Sequence, residues 1–218
     1  MFSYPKQAEF NRVLPKNKIY AHAKPGGTVK ALFVSQIGEI VWKYKLSPET
    51  TNLPARHGIS EIEVFEIALK GEELNDDVLR TIDKAIPFPI LFQLTHSSQV
   101  RFVASYKRPS EAEPTKWVIE ASFTTPWQPA ADERPPLPVA LDLAALYEHI
   151  IRRHIPLPQR PGEGIRDQVA RFNAIQVKEK ECQQMELRLK KGKQFNRKVE
   201  TNAALRTLRQ ELEDLQKS

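Results

Sequence analysis

The sequence predicts an α+β fold, a mixed β-sheet of about five strands with helices, followed by a long C-terminal helical arm of coiled-coil-like character. Three observations predict it. Residues 40–46 and 62–69 alternate apolar and polar side chains, the period of a half-buried strand. An acidic-headed segment, DDVLRTIDKAI, separates them from three β-rich stretches, PFPILFQLTH, QVRFVASYKR and KWVIEASFTTPW. From Gly164 to Lys217 there is no proline and one interior glycine, Gly192, while apolar residues recur three and four apart.

The first element is a helix from about Thr28 to Ile37, with Leu32, Phe33 and Ile37 apolar. In EIVWKYKL, Ile40, Trp42, Tyr44 and Leu46 are expected on one face, with Lys43 and Lys45 on the other. SPETTNL reads as a capped turn, proline suiting a first helical position, or as a polar loop that touches a partner. In SEIEVFEIALK, Phe65, Ile67 and Leu69 oppose Ile62, Val64 and Glu66. The DDVLRTIDKAI helix is long enough to return the chain in parallel. The three strands after it form an antiparallel meander, and the helices cover one face of the sheet.

Prolines punctuate the rest, because proline fixes its own φ and lacks a donor. The predicted domains are an α+β domain over residues 1–125, a Pro-rich linker over 126–138, an amphipathic helix over 139–154, a Pro-rich hinge over 155–163 and a helical arm over 164–218. In the amphipathic helix Leu143, Leu146, Tyr147, Ile150 and Ile151 share a stripe, and Arg152, Arg153 and His154 sit at the negative end of its dipole.

Net charge is +6, and residues 164–218 hold 13 basic against 8 acidic side chains, so the excess lies on the arm. That asymmetry suits an acidic or anionic partner, such as DNA. A single cysteine, Cys182, rules out an internal disulfide framework and a cysteine-rich zinc site. There is no apolar run of membrane-spanning length and no signal-peptide core, so the expected location is the cytoplasm.

A continuous arm would run about 80 Å, more than a small domain buries. Its heptads do not join. Ile175, Cys182, Leu189 and Asn196 fit one seam with Lys178, Met185, Gly192 and Val199, whereas Leu205, Leu208, Leu212 and Leu215 follow another phase. The joint is KKGKQFNRKVETN. Either Gly192 turns the chain into a hairpin, or one helix continues with Asn196 fixing register; the slow restart after Gly192 favours the second. Phe195, Asn196, Arg197, Val199 and Asn202 are the expected partner-binding residues, and Lys190, Lys191, Lys193 and Lys198 are candidates for phosphate contacts. A homodimer through the arm is the other outcome.

Catalytic motifs are missing: no phosphate-binding glycine loop, no serine elbow and no paired histidine ligands. No cofactor or metal is expected. The one chemical alternative is a metal-dependent nuclease using Glu63, Glu66 and Lys70, since such sites set acidic residues and a lysine together on strands. The compact acid-x-Lys spacing is absent.

PKNKIY, WKYKLSPETTNL, DKAIPFPILF, SYKR, LDLAALYEHIIR and KQFNRKVETNAALRTLRQEL, in that order, resemble a bacterial family known only as a domain of unknown function. The resemblance implies genes beside a helicase and a DNA methyltransferase, in restriction-modification or phage-defence loci. It also implies a charged residue in place of Gly192, which favours the continuous helix. No catalytic residues come with it. The expected function is therefore a non-catalytic accessory or adaptor protein of a helicase and methyltransferase assembly, docking through its arm, with a DNA-binding arm or a nuclease subunit as alternatives.

Overall fold

The computed structural model describes residues 2–113, 117–191 and 195–217, with the side chains at 191 and 195–199 outside that description. Two compact units result, Met1–His154 and Ile155–Ser218.

The first unit is built on one mixed sheet. β1 (Glu9–Val13), β2 (Ile37–Leu46), β3 (Ile62–Leu69), β4 (Ile90–His96), β5 (Gln99–Pro109) and β6 (Trp117–Thr124) lie side by side in chain order, and the two-residue β7 (Gln128–Pro129) also pairs with β5. Neighbours are antiparallel except β3 and β4, which run parallel. The helices are α1 (Lys16–Ala23), α2 (Gly27–Gln36), the single turn α3 (Pro48–Thr51), α4 (Asp76–Ala85) and α5 (Leu143–His154). The parallel return through α4 and the antiparallel β4–β5–β6 meander match the sequence pattern. β1, β7 and α1 raise the expected five strands to seven and add a helix at the start.

α4 forms where its sequence asks for it. Asn75 caps it by accepting from the Asp77 amide at 2.9 Å, Asp76 and Asp77 sit at the positive end of its dipole, and Val78, Leu79 and Ile82 are buried. These three join Ile19 of α1, Phe33 of α2 and Phe65, Ile67, Phe92 and Leu94 of the sheet in one apolar cluster. Helices on a single face of the sheet were expected, and this is corrected. Ser105 of β5 reaches Asp83 of α4, while its neighbour Tyr106 stacks on Tyr147 of α5 at 6.4 Å. Successive strand residues point to opposite faces, so α4 and α5 flank the sheet.

The expected alternation in β2 is also corrected. A register shift falls between Trp42, opposite Phe65, and Tyr44, opposite Val64. Lys43 is the extra residue of a β-bulge, which turns everything after it over. Tyr44 therefore packs on Tyr4, with ring centroids 4.6 Å apart, and Lys45 shares the face of Glu61 and Glu63, while Lys43 pairs with Glu66 on the other side. The SPETTNL stretch is the capped turn: Thr50 Oγ1 accepts the Ser47 amide at 2.9 Å, with Pro48 at the first helical position.

The second unit settles the form of the arm against a continuous helix. α6 (Ile165–Lys191) and α7 (Phe195–Gln216) fold back on each other. Cys182 is buried with Leu205 and Leu208, and Met185, Leu189 and Leu212 pack around them. Lys178 pairs with Glu211 and Glu186 with Arg209, so the helices are antiparallel. The two heptad phases that fail to join along one helix are the two facing sides of a hairpin. Among the described residues, the part of the apolar seam at Ile175, Cys182, Met185 and Leu189, expected to need a partner, is covered inside this unit. Arg160 donates to the carbonyls of Asp214 (2.8 Å), Leu215 (3.2 Å) and Lys217 (3.0 Å), closing the unpaired end of α7. Arg171 holds Glu163 at 2.7 Å and donates to the Leu215 carbonyl at 3.1 Å, and its guanidinium keeps the Glu163 carboxyl well below its ordinary value.

Spin labels at the exposed positions Gln183 and Gln210 are expected to lie within about 25 Å of each other, since packed helix axes are 8–10 Å apart. A continuous helix would set them about 40 Å apart. Pulsed dipolar spectroscopy separates the two. Among the described residues no helix is long and apolar enough to cross a membrane.

Candidate functional site

A cleft of about 830 Å³ opens in the first unit on the face that carries α1 and α4. Its floor is aromatic. Register sets Trp42 directly opposite Phe65, and their rings lie 5.8 Å apart at 30°. Phe10 extends the row from the edge strand, 4.2 Å from Trp42 at 45°. The β1–β2 pairing slips between Glu9 and Arg12, where Asn11 takes φ 48°, a left-handed conformation that asparagine tolerates. Arg12 then lies over the Phe10 ring at 4.5 Å, at the cleft mouth. Lys18 and His22 of α1 line one wall, and Lys84 of α4 and Pro87 and Phe88 of the following loop line the other.

One acid sits inside. Glu63 of β3 is 3% exposed and lines the cleft beside the aromatic row. Among the described residues no hydrogen bond or ion pair reaches its carboxyl group. Burial, aided by repulsion from Glu61, pushes it up to about 8. Glu61 itself is engaged by Lys45. At neutral pH Glu63 is therefore mostly a neutral acid, able both to donate and to accept a hydrogen bond.

The loop that forms one wall is pinned from beneath. Lys107 of β5 is 1% exposed. Its ammonium meets the Asp83 carboxylate at 2.6 Å and donates to the carbonyls of Asp83 and Phe88 (both 3.0 Å) and Ile86 (3.4 Å). Ser105 Oγ donates to the other Asp83 oxygen at 3.1 Å. Burial pulls Lys107 below its ordinary value, with Asp83 opposing that pull. On the opposite face Tyr147 closes the backbone at the same point, donating to the Ser105 carbonyl at 2.6 Å and accepting the Lys107 amide at 2.8 Å. Lys107 is thus a structural clamp whose charge is spoken for.

The three residues of the nuclease alternative are not brought together. Glu63 lines the cleft, whereas Glu66 lies on the other face of the sheet, 3.5 Å from Lys43. Lys70 lies beyond the strand end, donating to the Val34 carbonyl at 2.8 Å. Glu66 follows Glu63 at an offset of three, and odd offsets change face. Among the described residues no three His, Cys, Asp or Glu side chains converge as metal ligands. Lys190 and Asn202 are exposed on α6 and α7. Lys193, and the side chains of Lys191, Phe195, Asn196, Arg197, Lys198 and Val199, lie outside the described residues.

Sequence reasoning missed Phe10, Arg12, Lys18, His22, Trp42, Lys84, Asp83 and Lys107 as members of one locality. Lys107 alone left a trace: a lysine in a strand whose two faces both carry apolar residues must be paired if it is buried.

A family model described as Domain of unknown function (DUF4391) matches residues 2–212. No curated protein and no solved structure matches the chain.

Proposed function

The chain belongs to this DUF4391 family, and from that premise we propose that it is a non-catalytic accessory protein whose cleft holds a nucleotide unit of single-stranded nucleic acid. The reading rests on one observation: an aromatic row, a buried carboxyl with no partner among the described residues and a basic mouth share one cleft. Bases stack on aromatic side chains whatever their identity, and basic side chains track the phosphates. Duplex DNA keeps its bases stacked inside, so a cleft of this kind favours single strands. A strand-holding accessory suits an assembly with a helicase and a DNA methyltransferase, the neighbourhood that the family resemblance implies. The docking element of that accessory is the hairpin of α6 and α7, which exposes Val177 and Leu187 while Cys182, Leu205 and Leu208 pack within it.

The full-length chain is expected to bind a 15-nucleotide single strand at least tenfold more tightly than the matching duplex or a 5′-mononucleotide, by fluorescence anisotropy or competition. Three cationic contacts give a salt slope of about −2. Phe10→Ala, at the outer end of the aromatic row, is expected to weaken binding by roughly tenfold or more. Equal affinity for duplex, or for the mononucleotide, overturns the reading, as does unchanged binding by Phe10→Ala.

A further inference from the structure

The proposed strand-holding role leaves open how the bottom of the cleft meets a base. We propose that Glu63 pairs with the hydrogen-bonding edge of the bound base and sets which bases the cleft accepts. This rests on the cleft being the strand site. The residue is buried, lines the cleft and has no partner among the described residues. Its carboxyl oxygens are not among the fully enclosed unpaired atoms of the described residues, so they face the open side of the cleft, where a ligand's polar edge arrives.

The chemistry follows from the two forms of a carboxyl group. A neutral acid presents a donor and an acceptor side by side. Each of the four bases carries an adjacent donor and acceptor on its pairing edge: N6–H and N1 in adenine, N4–H and N3 in cytosine, N3–H and O4 in thymine, N1–H and O6 in guanine. The neutral acid therefore accepts all four. A carboxylate presents two acceptors. Guanine alone then matches it fully, through N1–H and N2–H, while the other three each set an acceptor against an acceptor. The groups around Glu63 are Glu61 on its own strand, Lys45 of β2, Lys107 of β5, Lys84 of α4, Lys18 and His22 of α1 and Arg12 of β1. Glu61 opposes ionisation, whereas Lys45 and Lys107 favour it without outweighing burial. Ionisation consequently falls near pH 8.

The test uses the full chain and 5′-phosphorylated trinucleotides of each single base, titrated at pH 7 and pH 9. At pH 7 the four are expected to bind within about threefold of one another. At pH 9 the adenine, cytosine and thymine forms are expected to weaken roughly tenfold relative to guanine, the cost of an unmatched polar contact. Glu63→Gln keeps a donor and an acceptor but cannot ionise, so it is expected to hold the pH 7 pattern at both pH values. Its retained binding also shows that the fold survives. If selectivity shifts with pH in Glu63→Gln as it does in the unmodified chain, or fails to shift in the unmodified chain, the assignment of Glu63 is overturned while the strand site stands. If no trinucleotide and no longer strand binds at either pH, the strand site falls and the assignment with it.

Discussion

Lys107→Met is expected to destabilise the first unit by about 3–5 kcal/mol, the usual result of removing one partner from a buried ion pair. The substitution keeps most of the apolar stem and deletes the ammonium. Asp83 is left buried with Ser105 as its remaining hydrogen-bond donor, and the carbonyls of Asp83, Ile86 and Phe88 lose theirs. The loop after α4, which walls the cleft, loses its anchor at the same time. The double variant Lys107→Met with Asp83→Leu removes the stranded charge and is expected to recover part of the loss, the unsatisfied carbonyls accounting for the remainder. Urea unfolding followed by tryptophan fluorescence measures both, since Trp42, Trp117 and Trp127 all lie in this unit. A single-variant cost below about 1 kcal/mol would show that the clamp is not what holds the wall.

Glu63→Gln is expected to stabilise the protein, and increasingly so with rising pH. The sign follows from proton counts. Unfolded, Glu63 releases its proton near 4.5; folded, it keeps it until about 8. Between those values the native state holds more protons than the unfolded state, so stability falls as pH rises through the window. Below pH 4 both states are protonated and the term vanishes. Above 8 the penalty is complete, a few kcal/mol at about 1.4 kcal/mol per tenfold change in proton affinity. Glutamine fills the same space and does not titrate. Thermal melts of both proteins at pH 4.5, 6.5 and 8.5 are expected to diverge steadily, the variant melting higher at pH 8.5. Parallel curves would mean that the carboxyl is solvated or paired in the folded protein.

Local patterns carried much of the fold. The acidic head and apolar stripe of α4 follow from short-range spacing, as do the meander and the stripe on α5 from Leu143 to Ile151. What escaped was non-local. Nothing in EIVWKYKL announces a bulge at Lys43, because the extra residue is defined by its partner strand and not by its own neighbours. β1 is a short edge strand with four of its five residues exposed, so it lacks the alternation that marks a half-buried strand. The arm's hairpin is hidden from the sequence for a related reason. Along the sequence two heptad phases resemble one flawed coil, whereas in space they are two complementary surfaces that meet where α7 packs back on α6. Of the candidate site, only Glu63 stands out in the sequence, where proximity along the chain groups it with Glu66 and Lys70. The neighbours that matter come from β1, β2, α1 and α4, separated from it by crossovers that residue spacing does not encode.

The bulge in β2 has a consequence for the two faces of the sheet. One inserted residue decides which side of the sheet receives Tyr44 and which receives Lys45. Were Lys43 paired in the ladder instead, strict two-residue parity would bring Tyr44 toward the aromatic row and turn Lys45 away from Glu61. The register beyond this point, and not the identity of residue 43, therefore decides which side chains each face receives.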